Sequence, residues 1–124
     1  MELNKTFSNK NPAIRIMNAF KYSLKGLNIA FKTEQAFRQN VLIFLINTII
    51  TFYFCSNKIE IMWFLFCGIF LLIAELINTA IEYIVDRIGK EYNPISGYAK
   101  DMGSAIVLLS LVNLLVSWLV FKFY

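Results

Sequence analysis

Histidine is absent from the 124-residue chain, cysteine and proline occur twice each, and glycine occurs five times. Without histidine the commonest zinc ligand is missing, and Cys55 and Cys67 show no metal-ligand spacing. Neither a zinc site nor a disulfide is expected, and the two thiols read as apolar filling. There is no Walker A loop and no dinucleotide-type glycine pattern, so nucleotide binding does not follow from motifs of general use. Few glycines and prolines also leave few places for turns, and no repeat, linker or low-complexity tail is visible.

What the chain has instead is apolar surface: 58% of its residues are hydrophobic and 16% are aromatic. That is too much for a soluble domain of this length. About 20 mostly apolar residues span a bilayer as a helix, and residues 36–54, 61–86 and 102–121 qualify. The expected fold is therefore an all-α membrane protein. It forms a single integral membrane domain over residues 1–124, with three transmembrane helices preceded by an amphipathic surface helix. Residues 1–10 are polar and lack an apolar core followed by a small-residue cleavage site, so no secretory signal peptide is expected.

Asn11-Pro12 reads as an N-cap followed by proline at the first helical position. Over residues 12–33, Ala13, Ile16, Phe20, Leu24, Leu27 and Phe31 share one side of a helix. Asn18, Lys21, Lys25, Asn28 and Lys32 share the other. Such a helix suits a membrane surface, with its basic side toward water and headgroups. Residues 56–58 read as a tight hairpin, and residues 89–97, with Pro94, as a longer loop. On the third spanning helix, Ser110, Asn113 and Ser117 share a face suited to interhelical hydrogen bonding.

The formal net charge is +4, but its distribution says more than its sum and points to a membrane rather than nucleic acid. Lys5, Lys10, Arg15, Lys21, Lys25, Lys32 and Arg38 lie at or before the start of the first spanning helix. Arg87, Lys90 and Lys100 lie between the second and third; Lys58 and Lys122 alone fall on the other side. By the positive-inside rule the N-terminus and the second loop are cytoplasmic and the C-terminus is outside.

The second spanning helix is uncharged from residue 61 until Glu75, after which Asn78, Glu82 and Asp86 follow at offsets of 3, 7 and 11. These offsets put all four on one face. An ionisable group at the bilayer centre costs about 2.5 to 3.5 kcal/mol on insertion scales and is a functional candidate by default. Glu75 lies about 21 Å along the helix from residue 61, near the level of a lipid headgroup hydroxyl. Glu82 and Asp86 are closer to a water-borne phosphate donor, and Glu34 enters just before the first spanning helix. Mg²⁺ binds through one or two carboxylates plus phosphates and waters, so two glutamates from different helices would suffice. Lys100 could supply positive charge for phosphoryl transfer. The spacing alone leaves two other readings open: ion pairs of Glu75, Glu82 and Asp86 with Lys100, Arg87 and Arg38 that only hold the helices in register, and a proton or cation pathway such as a small transporter uses.

The stretch 74–105, AELINTAIEYIVDRIGKEYNPISGYAKDMGSA, resembles the signature of prokaryotic diacylglycerol kinases. That signature reads E-[IL]-[LI]-N-[ST]-A-I-E, then D-R, then A-K-D-M-G-S-A. The resemblance extends upstream through Arg15, residues 19–26 (AFKYSLKG) and residues 34–39 (EQAFRQ). It implies a homotrimeric lipid kinase of the inner (cytoplasmic) membrane that moves the γ-phosphate of ATP, with Mg²⁺, onto diacylglycerol to give phosphatidic acid. It further implies Glu75 as the catalytic base, Glu34 and Glu82 as metal ligands, and Asn78, Lys100 and Asp101 as supporting catalytic residues. Arg15, Tyr22, Glu34, Glu82, Asp86, Glu91, Lys100 and Asp101 would form the nucleotide site, and Arg15, Glu75 and Ser104 would meet the lipid. Asn93 and Tyr98 depart from the His and Arg of well-known members, which leaves the adenine contacts undefined. One branch of the family phosphorylates undecaprenol, but residues 36–39 (AFRQ) resemble the Gram-negative, diacylglycerol-specific form. Trimers are expected for a second reason: three helices would hardly shield Glu75, Asn78 and Glu82 from lipid.

Overall fold

The computed structural model describes residues 11–124, which form four helices. Residues 1–10, including Lys5, Lys10 and the segment read as lacking a signal peptide, lie outside the described residues. The chain divides into two compact units, one ending at Glu34 and the other running from Gln35 to Tyr124.

In the first unit, α1 spans Pro12–Thr33. Asn11 caps it by accepting from the Ala13 N–H at 3.1 Å, and Pro12 fills the first-turn position where a missing N–H costs nothing. The side chains expected on the apolar face, among them Ile16, Phe20, Leu24, Leu27 and Phe31, are exposed. A wide apolar stripe left open opposite a lysine-bearing side is the pattern of an interfacial helix. The helix ends at Glu34, whose backbone is extended and whose N–H still reaches the Ala30 carbonyl at 2.9 Å.

The second unit is three helices, α2 (Gln35–Phe54), α3 (Lys58–Ile88) and α4 (Pro94–Phe123). All three are long and apolar enough to cross a membrane. The hairpin between α2 and α3 is tight because Asn57 caps α3 at once, accepting from the Ile59 N–H at 2.9 Å. The loop before α4 is shorter than residues 89–97 suggested. Asn93 accepts from the N–H groups of Ile95 and Ser96, and Pro94 already stands in the first turn. At 31 and 30 residues, α3 and α4 are each about 45 Å long, against a hydrocarbon layer of about 30 Å. The tight hairpin starts α3 where the short α2 ends, so the excess length of α3 lies at the end bearing Glu82 and Asp86, next to the loop that leads into the first turns of α4 and Lys100.

Helix α3 is central, packed on α2 and antiparallel on α4. Lipid tails are as apolar as leucine, so close packing and interhelical hydrogen bonds must hold such helices together. Gly68 lets α2 approach: a Cβ there would lie 2.7 Å from the Phe44 ring and 3.0 Å from Asn47 Nδ2. Asn47 then ties all three helices, donating to the Phe64 carbonyl on α3 and accepting from Trp118 Nε1 on α4, each at 2.9 Å. Phe64 and Trp118 stack at 3.9 Å between ring centroids. The polar face of α4 serves packing as expected. Ser117 accepts from Trp63 Nε1 at 3.0 Å, and Asn113 donates to the sulfur of Cys67 at 3.4 Å. Both cysteines are free and buried.

Candidate functional site

The stripe on α3 changes character as it leaves the packed interior. Glu75 is 4% exposed and Asn78 8%, whereas Glu82 is half-buried and Asp86 exposed. The expectation that one chain leaves Glu75 and Asn78 open to lipid is thus corrected: α2 and α4 cover both within a single chain. Burying a carboxylate is expensive unless donors meet it, and Asn40 on α2 supplies one, its Nδ2 lying 2.8 Å from Glu75 Oε2.

One turn on, Asn78 Nδ2 donates to Glu82 Oε1 at 3.3 Å. Its Oδ1 is buried without a hydrogen-bond partner and lies against Gly103 of α4, where any added Cβ would collide with it. Gly103 therefore sets how closely α4 approaches the stripe, and with it the orientation of the Asn78 amide. A further turn along, Asp86 pairs with Lys100 at 2.5 Å. Of the ion pairs considered from the sequence, this one forms. An exposed pair contributes little to stability, so its consequence is to hold the Lys100 ammonium beside the end of α3.

Beyond that pair lies a cleft of about 510 Å³ between the end of α3, the loop and the first turns of α4, lined by Asp86, Lys90, Glu91, Asn93, Ser96 and Lys100 among others. Its size is that of small-molecule sites, and its lining offers two ammonium groups beside two carboxylates, Asp86 and Glu91, so it presents donors for phosphate oxygens without a net positive charge. Asp101 and Ser104 are exposed on the same turns of α4 that carry Gly103. Glu75, Asn78 and Glu82 are thus gathered on one stripe, and Asp86, Glu91 and Lys100 on one cleft. The remaining candidates belong to the first unit. Arg15 and Tyr22 are exposed on α1, and Glu34, half-buried at its end, accepts from Thr33 Oγ1 at 3.1 Å.

The donor set around Glu82 fits a hard cation. It offers a half-buried carboxylate beside a buried amide whose oxygen lacks a partner, and magnesium takes oxygen ligands. Among the described residues no three Asp, Glu, His or Cys side chains gather. A magnesium ion shared with phosphates needs only one or two carboxylates.

Asn40 is the site residue that sequence reasoning missed. A signal was present: Asn40, Asn47 and Thr51 stand at offsets of 7 and 11 on α2, the spacing that Glu75, Glu82 and Asp86 show on α3. All three are buried.

Residues 21–121 match a family profile described as prokaryotic diacylglycerol kinase. A protein named diacylglycerol kinase from Haemophilus influenzae is 42% identical over 103 residues, covering 83% of this chain and 87% of the relative. One of the same name from Escherichia coli K12 is 40% identical over 104 residues, 84% and 85% of the two chains. Another from Pseudomonas aeruginosa is 41% identical over 104 residues, with the same coverage.

Proposed function

Because this chain belongs to the prokaryotic diacylglycerol kinase family, we propose that it phosphorylates diacylglycerol to phosphatidic acid, using Mg-ATP at the cytoplasmic surface of the inner membrane. The observation that carries this reading is the graded stripe on α3. It runs from a buried carboxylate held by an amide, through a half-buried carboxylate, to a lysine-bearing cleft at the end of the helix. A substrate that lives in the bilayer and one that lives in water can meet only at such a boundary.

In this reaction the acceptor oxygen attacks the γ-phosphorus, the bond from that phosphorus to the β–γ bridging oxygen breaks, and ADP leaves. Little covalent chemistry falls to the protein; it positions the groups, stabilises charge and takes a proton. Glu75 accepts the proton of the lipid hydroxyl, its burial excluding competing water. Lys100, with Lys90 lining the same cleft, meets the phosphate oxygens, while Asp86 fixes the Lys100 ammonium. Glu82 would hold Mg²⁺, which when bound neutralises charge on the transferring phosphate; Glu34 is assigned to the metal on the family resemblance alone. Asn78 orients the Glu82 carboxylate. Asp101, Glu91, Arg15 and Tyr22 are assigned to the nucleotide, and Arg15 and Ser104 to the lipid headgroup, on the family resemblance. The same resemblance supports assembly as a homotrimer.

Purified protein in lipid micelles, given γ-labelled ATP and Mg²⁺, should label diacylglycerol far faster than undecaprenol at equal mole fraction. Faster labelling of undecaprenol would move the chain to the polyprenol branch, and no labelled lipid at all would overturn the kinase reading.

A further inference from the structure

Glu75 is buried, and α2 faces it with a buried amide, that of Asn40. Asn40 is itself 6% exposed, so its amide is withdrawn from water and lipid alike. A buried amide in a spanning helix is retained at a cost unless it is hydrogen-bonded, and the bond of 2.8 Å it makes is to one carboxylate oxygen of Glu75. The two residues are 35 positions apart on different helices, so this is a cross-helix tie and not a local turn.

We propose that Asn40 is the positioning residue for Glu75: its side-chain amide fixes the rotation of the carboxylate so that the group stands ready for the acceptor hydroxyl. The inference rests on Glu75 as the proton acceptor, and deepens that reading by assigning what aims it. A glutamate has three rotatable side-chain bonds, and misplacing a reacting group by about 1 Å can cost about 10²-fold in rate. An amide donor orients a carboxylate without neutralising its charge, as a lysine or arginine at this position would do. Asn47 and Thr51, on the same stripe of α2, lie further toward the opposite end; Asn47 is engaged with Phe64 and Trp118. The stripe therefore divides its work, Asn47 binding helices together and Asn40 serving the site.

A packing role and a positioning role respond differently to two substitutions. Asn40→Leu keeps the space filled and Asn40→Ala empties it, yet both remove the donor. Positioning predicts that both lower kcat alike, by about tenfold, with the KM for ATP and the Mg²⁺ requirement unchanged. It also predicts that adding Asn40→Leu to Glu75→Gln lowers kcat no further, since a residue acting through Glu75 has nothing left to aim. The measurements are kcat, KM and assembled fraction for wild type, the three single variants and the double. Should Asn40→Leu fail to assemble, Asn40→Ala with its own double carries the same comparison. A near-normal Asn40→Leu beside an impaired Asn40→Ala, or losses that multiply in the double variant, overturns the proposal while leaving Glu75 in place. A near-normal kcat for Glu75→Gln overturns the reading of Glu75 and this inference with it.

Discussion

At the scale of single residues, the ionisable members of the site and Asn78, which shares their stripe, were legible, whereas Asn40 and Gly103 were not. Glu75, Glu82 and Asp86 stand out because charge in an apolar run is costly. Asn40 costs less, so it draws no notice until its partner across the helix interface is known. Gly103 was hidden for a different reason: a glycine in a helix reads as a weak point, and only the place of Asn78 Oδ1 against it shows what its missing Cβ permits. Gly103→Ala would put a methyl group where that oxygen now sits. The amide is the movable partner, so we expect it to rotate and release Glu82. The rate should fall about tenfold and the Mg²⁺ concentration for half-maximal rate should rise, with assembly retained. Unchanged kinetics in Gly103→Ala would show that the Asn78–Glu82 bond does not matter to the reaction.

At the scale of elements, long apolar runs announced the three spanning helices and a two-sided pattern announced α1, whose start the Asn11-Pro12 cap marked; α3 and α4 begin earlier than their apolar runs, at caps formed by Asn57 and Asn93. The Asn-Pro pair that marks α1 at residues 11–12 recurs at 93–94 and opens α4 in the same way. The loop was overestimated because Pro94 looks like a breaker when its cap is overlooked. How the stripe meets neighbouring helices was not legible, since periodicity gives a face but not what covers it. Orientation rests on where the basic residues fall, and it can be tested without disturbing a cap. Asn57 and Asn93 are both N-caps, so Ser56 and Tyr92, each exposed, are better sites for new cysteines. A membrane-impermeant thiol reagent applied from outside should label Ser56→Cys and miss Tyr92→Cys. Background should be low: burial, and secondarily the charge of Glu60, push the Cys55 thiol up from its ordinary value, and Cys67 is fully buried. Labelling of Tyr92→Cys alone would invert the topology and put the lysine-bearing cleft out of reach of cytoplasmic ATP.

At the scale of the whole molecule, the account is that one helix carries two carboxylates with separate duties, about 10 Å apart along its axis. Glu75 and Asn78 are sheltered within one chain, so their burial does not by itself require neighbours. The case for trimers rests instead on the family and on half-buried Glu82, which a second protomer could cover. The most direct test measures initial rate against Mg²⁺ concentration, together with crosslinked trimer content, on the same preparations of wild type, Glu75→Gln and Glu82→Gln. The account predicts that Glu75→Gln lowers kcat by at least about 10²-fold with the half-maximal Mg²⁺ concentration unmoved. Glu82→Gln should raise that concentration and weaken ATP, and both variants should assemble as wild type does. Near-normal kcat in Glu75→Gln, or activity lost only in proportion to lost assembly in both variants, would contradict it.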